Sequence, residues 1–111
     1  MLVRNSILAA LAAALLSSTA ASAQVSDDIV KIGVLTDMSG PASTPSGQGS
    51  VTAAQMAVDD FGGKVLGKPI SVILGDHQLK PDVGSAIARR WYDTEQVDLI
   101  LDVPVSAVGL A

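Results

Sequence analysis

The chain has 111 residues, seven basic and eleven acidic side chains, a net charge of −4, no cysteine and three aromatic residues, Phe61, Trp91 and Tyr92. An acidic, aromatic-poor chain lacks the basic surface that nucleic acid or an anionic membrane requires. Without cysteine it has no disulfide framework and no thiol for lipid attachment, so its core alone must stabilise it, and at this length that core is small.

Met1 to Arg4 gives a positive start, Ile7 to Leu16 is an unbroken apolar run, and Ala21-Ser22-Ala23 before Gln24 is a small-x-small cleavage pattern. That order predicts a secretory signal peptide over residues 1–23 and a mature chain from Gln24, outside the cytoplasm. The apolar run is too short to span a bilayer, which takes about 20 residues. It also raises the mean hydropathy to +0.45, which is therefore no sign of membrane character. Arg4 is the only charge in the leader, so the mature chain is more acidic than the whole.

Ile29 to Leu35 is β-branched and almost continuously apolar, the pattern of a strand buried on both faces of a parallel sheet. Residues 36–49 form a long loop rich in Gly, Pro, Ser and Thr. From about Ser50 the period becomes helical. Val51, Ala54, Val58 and Phe61 lie on one stripe, and Gly62-Gly63 is the stop signal. Residues 64–69 read as a turn, and Pro69 to Leu74 as a second strand. After a loop over 75–80, Pro81 suits the first position of a second helix, with Asp82 favourable against its dipole. Val83, Ala86, Ile87 and Trp91 make its apolar stripe. Val97 to Val103 reads as a third strand, 104–106 as a loop, and a further helix begins at Ala107. The β-α-β-α-β-(α) order predicts an α/β fold, an open parallel sheet with flanking helices. Three strands and two helices are half of such a domain, and Val108, Leu110 and Ala111 carry no cap or polar tail. The chain thus reads as the front piece of a longer protein or as a truncated product.

Candidate chemistry is sparse. Gly47-Gln-Gly-Ser-Val-Thr52 has glycines in the manner of a dinucleotide fingerprint, but they lie far beyond the first strand instead of in the turn that follows it. No nucleotide or other cofactor is expected. Asp76-His77-Gln78 sits at the carboxyl end of the second strand, where α/β folds carry functional loops. His77 is the only histidine, so no metal set can be completed around it. A triad of Ser106, His77 and Asp76 can be written, but neighbours in an extended segment point apart, and a loop-stabilising role suits His77 better. Ser106 fits two roles equally, a plain N-cap and a hydroxyl that, with the amides of Ala107 and Val108, receives a carboxylate. The loop Asp37-Met-Ser-Gly-Pro41 can expose amides to a ligand or be a solvated connection. Trp91 and Tyr92 are read as core and boundary residues, and Arg89-Arg90 as a solvated helix face.

A leader, then IVKIGVLTDMSGP, then GQGSVTAAQMAVDDFGG, then KPISVILGDHQLKPDVGSAIARRWYDTEQVDLILD closely resembles the amino-terminal part of the periplasmic solute-binding proteins of ABC transporters. The nearest branch is the leucine/isoleucine/valine-binding class, with the type I periplasmic-binding fold, and the resemblance covers residues 29–111. It implies two α/β lobes closing over a small molecule, with residues 24–111 as the opening part of the first lobe. It also implies that Ser106, with the adjacent Ala107, holds the carboxylate of an amino acid or similar acid. Ser39 and Ser43 of the loop after the first strand would border the cleft, with His77 close to the same edge. Many members carry an aromatic residue further along that loop, and Ala42 to Ser46 has none. This departure turns the expected ligand away from an ordinary leucine-type pocket, towards another amino acid or an aromatic acid. The implied partners are the ligand and an inner-membrane ABC permease, with ATP hydrolysis left to a cytoplasmic component and a monomeric full-length protein. Two other readings stand beside this one: a small exported α/β hydrolase using Ser106 and His77, and a truncated product without function.

Overall fold

The computed structural model describes residue 25 and residues 27–111. The predicted leader and its cleavage site lie outside the described residues. The elements are β1 (Val30–Thr36), α1 (Gly47–Phe61), β2 (Lys64–Val65), β3 (Lys68–Asp76), α2 (Pro81–Asp93), β4 (Leu99–Leu101) and α3 (Ser106–Leu110). They form a sheet in the order β2-β3-β1-β4. β1 pairs in parallel with β3 from Val30↔Ile70 to Thr36↔Asp76, and with β4 from Ile32↔Leu99 to Val34↔Leu101. The strand expected to be buried on both faces is thus the central one, and its carboxyl half is wholly buried. The predicted α/β class and parallel core hold.

Side-chain alternation along β1 assigns the two faces. Gly33 and Leu35 look towards α2, where Leu35, Trp91 and Val97 form the core cluster with Ile73, Ile87, Ala88 and Ile100 packed on it. The Trp91 ring fills the space where a side chain on Gly33 or Gly75 would stand. Thr36, on the opposite face, meets the start of α1, its hydroxyl accepting from the Gly47 N–H at 3.1 Å. At the other end of β1, Lys31 fixes the approach to β4. Its N–H donates to the Asp98 carboxylate (2.9 Å), its carbonyl accepts from the Asp98 N–H (3.0 Å), and its ammonium reaches the Glu95 carbonyl (2.9 Å).

Several boundaries differ from the sequence-based expectation. The predicted turn over 64–69 contains β2, antiparallel to the start of β3 through Lys64↔Pro69 and Val65↔Lys68. Leu66 and Gly67 between them both have positive φ, 50° and 78°, as in a tight hairpin turn. α1 starts at Gly47, before Ser50. Phe61, expected on its buried stripe, is 67% exposed because the helix ends there beyond the sheet, while Val58 one turn back is buried. On α2, Ala86 is exposed and Gly84 is buried instead, since Val108 of α3 occupies the space above Gly84. The third strand shortens to Leu99–Leu101. Val97 leaves the ladder to enter the core, and its N–H bonds the Trp91 carbonyl at 3.0 Å.

Candidate functional site

The carboxyl ends of β1, β3 and β4 point the same way, so the loops that follow them gather at one edge of the sheet. The loop after β1 is folded by Asp37, which is fully buried. Its carboxylate accepts N–H bonds from Gly40 (2.9 Å), Ala42 (3.0 Å) and Ser39 (3.4 Å), a local turn that a short acidic side chain favours. A side chain at position 40 would strike that carboxylate, which is why glycine stands there. Behind it, Thr36 donates to the Ser46 hydroxyl at 3.1 Å, and Ser46 donates to the Ala42 carbonyl at 2.6 Å.

Ser39 and Ser43 are both held within this loop. The Ser43 hydroxyl donates to the Gly40 carbonyl at 2.6 Å. Ser39 is exposed, and its hydroxyl donates to Asp76 at the end of β3, at 3.1 Å. The Asp76 carboxylate also accepts from the N–H of Met38 (3.1 Å) and of Gln78 (3.0 Å). Partial burial pushes the Asp76 carboxyl up. The bonds from Met38, Gln78 and Ser39 outweigh that and hold it below the usual carboxylate range. Of the two expectations for this loop, a surface of exposed amides is not what the structure holds. The amides of Met38, Ser39, Gly40, Ala42 and Ser43 are all donated within the chain.

His77 lies beneath this surface with no exposed area. Its N–H donates to the Thr36 carbonyl at 2.9 Å, and its Nδ1 accepts from the Leu79 N–H at 3.1 Å. Nδ1 therefore carries no proton, and the ring proton sits on Nε2, which is buried without a partner among the described residues. Gln78 and Leu79 take left-handed φ values of 53° and 57° to close this turn. The written triad is not assembled: Asp76 bonds Met38, Gln78 and Ser39 instead of the imidazole, and no hydrogen bond joins His77 to Ser106.

Ser106 and Ala107 are exposed at the start of α3. The cap position belongs to Val105, whose carbonyl accepts from Val108 and Gly109, both at 2.9 Å, so Ser106 is the first helical residue and not the N-cap. Its N–H and that of Ala107 are left free of the helix ladder. Val108, seated over Gly84, anchors this turn to α2. Among the described residues no group of three or more His, Asp or Glu could hold a metal ion, and no helix is long and apolar enough to cross a membrane. A cavity of about 540 Å³ lies between α2, β4 and α3, walled by Leu35, Ile100, Val103 and Val108, and it is lined by none of Ser39, Ser43, His77, Ser106 or Ala107.

Sequence reasoning singled out the serines, His77 and, as a triad partner, Asp76, and missed that Asp37 folds the loop after β1 while Asp76 holds Ser39. The available signal was an Asp directly after a strand with Ser and Gly two and three residues on, the spacing of a side-chain-capped turn.

Residues 29–111 match the profile of the periplasmic binding protein family. Among solved structures, the chain is similar to a periplasmic binding protein from Burkholderia mallei, at 51% identity and a TM-score of 0.73, over 75% of this chain and 22% of that one. It is similar to a branched-chain amino acid ABC transporter periplasmic ligand-binding protein from Burkholderia xenovorans, at 50% identity and a TM-score of 0.65, over 67% of this chain and 20% of that one. A third likeness is to a solute-binding protein of an ABC transporter from Rhodopseudomonas palustris, solved in complex with 3,4-dihydroxybenzoic acid, at 31% identity and a TM-score of 0.58, over 67% and 20%. The chain spans about a fifth of the length of these relatives. No curated protein matches it.

Proposed function

The chain belongs to the periplasmic binding protein family, and from that premise we propose that it forms the opening part of the first lobe of an ABC importer's solute-binding component. In this reading, residues 1–23 export the protein to the periplasm, and residues 24–111 supply one wall of a ligand cleft. The ligand is an amino acid or similar small acid, branched-chain or aromatic, delivered to an inner-membrane permease. The component makes and breaks no bond. It binds, and closure of the lobes is a shift of population towards the ligand-bound form.

The exposed start of α3 carries this reading. Ser106 offers a hydroxyl and, with Ala107, two amides outside the helix ladder, all at the carboxyl edge of the sheet. Donors so placed suit a carboxylate. The branched-chain amino acids for which one relative is named and the dihydroxybenzoic acid bound by another share that group. Ser39 and Ser43 border the cleft from the loop after β1, and His77 supports the same edge from beneath. A hydrolase reading finds no assembled nucleophile in this arrangement.

Calorimetric titration of the protein as its host makes it, with leucine and with 3,4-dihydroxybenzoate, tests this. Saturable binding of either, weakened at least tenfold in Ser106→Ala, is the expected result. A tenfold loss corresponds to ~1.4 kcal/mol, within reach of one hydrogen bond to a charged group. Absence of binding by both ligands would defeat the reading.

A further inference from the structure

We propose that Asp76 sets the polarity of Ser39, so that the loop after β1 selects a ligand bearing a hydrogen-bond donor, an ammonium or a phenolic hydroxyl, in addition to its carboxylate. The inference rests on the solute-binding reading above and names the ligand chemistry of the same cleft.

A serine hydroxyl has one proton and two lone pairs. Ser39 Oγ lies 3.1 Å from Asp76 Oδ2, and an ionised carboxylate can only accept, so the single proton of Ser39 points at Asp76. Asp76 is itself held in place, because its Oδ1 accepts from the Met38 and Gln78 amides and leaves Oδ2 for Ser39. Ser39 Oγ can then meet a ligand only with its lone pairs. The same holds one turn on, where the Ser43 hydroxyl gives its proton to the Gly40 carbonyl, which never donates. From Met38 to Ser43 every backbone N–H is already donated to Asp76, Asp37 or Gly40, and Pro41 has none. This stretch is therefore an acceptor-only surface. A carboxylate brought against it would set lone pair against lone pair, whereas an ammonium or a phenol would complete a bond.

The experiment compares matched ligands that differ in the donor: leucine against 4-methylpentanoate, and 3,4-dihydroxybenzoate against benzoate. Each is titrated into the wild-type protein as its host makes it, into Ser39→Ala and into Asp76→Asn. In whichever pair binds, the wild type is expected to prefer the donor-bearing member at least tenfold. Ser39→Ala should reduce that preference at least threefold. Asp76→Asn should reduce it as well, because its amide can donate to Ser39 and release the hydroxyl proton towards the ligand. Should Asp76→Asn fail to fold, Ser39→Ala, an exposed position, decides alone. If a pair binds and the preference is unchanged in Ser39→Ala, the polarity inference is overturned and the solute-binding reading survives. If neither leucine nor 3,4-dihydroxybenzoate binds the wild type, both fall together.

Discussion

Asp37 folds one loop upon itself, whereas Asp76 joins two loops from different strands. That difference decides what each substitution does. The Asp76 carboxyl is raised by partial burial and lowered further by the bonds it accepts, ending below its ordinary value. Its folded value lies under the unfolded one of ~3.9, so its stabilisation is fully present above that pH and is lost as pH falls through the lower folded value. Asp76→Asn keeps the shape and removes the titration. Urea unfolding at a series of pH values should therefore show a shallower acid-side loss of stability in this variant than in the wild type. Gly33 is constrained differently, by the Trp91 ring standing where its side chain would go. Gly33→Ala forces that wholly buried ring to move, at a cost of about 2 kcal/mol, the range of overpacked cores. Thermal unfolding measures it, and a variant as stable as the wild type would show that the ring yields freely.

At the level of elements, the helix ends follow local chemistry closely. α1 ends with the Gly63 N–H bonding the Val58 carbonyl at 2.8 Å and the Gly62 N–H bonding the Asp59 carbonyl at 3.0 Å, while Gly62 takes φ 98°. This left-handed glycine cap is what Gly62-Gly63 predicts. The hairpin that follows is less well matched to its sequence. Leu66 is held at φ 50° and is 77% exposed, so it bears left-handed strain without gaining burial. Asn tolerates that conformation, and Leu66→Asn is expected to stabilise the fold by about 1 kcal/mol. A fall in the unfolding midpoint would mean instead that the leucine makes a contact worth more than the strain.

At the level of the molecule, the sheet is asymmetric. β1 is sheltered on both sides, but β4 is a three-residue edge with Leu99 and Leu101 exposed, and Leu74 of β3 is exposed on the same face. In residues 24–111 taken by themselves, an open edge beside uncovered leucines invites pairing between chains. Leu101→Lys is expected to lower self-association of purified residues 24–111 in sedimentation velocity, with a change in stability within about 0.5 kcal/mol for a surface position. Persistence of the same oligomers would place the contact elsewhere.

The sequence alone determined the class of fold, the parallel order of the three main strands, the two crossover helices and the burial of Trp91. All of these follow from hydrophobic period and from glycine and proline positions, which act within a few residues. It also brought the right loops to one edge, because parallel strands joined by helices leave their carboxyl ends together. Tertiary structure decided the rest. The exposure of Phe61, the shortening of β4 and the burial of Gly84 depend on where each helix lies over the sheet. The bond from Ser39 to Asp76 joins residues 37 positions apart, and no local pattern records it. Which way a hydroxyl proton points is fixed by the acceptor that the fold carries to it, and only the packed chain supplies that acceptor.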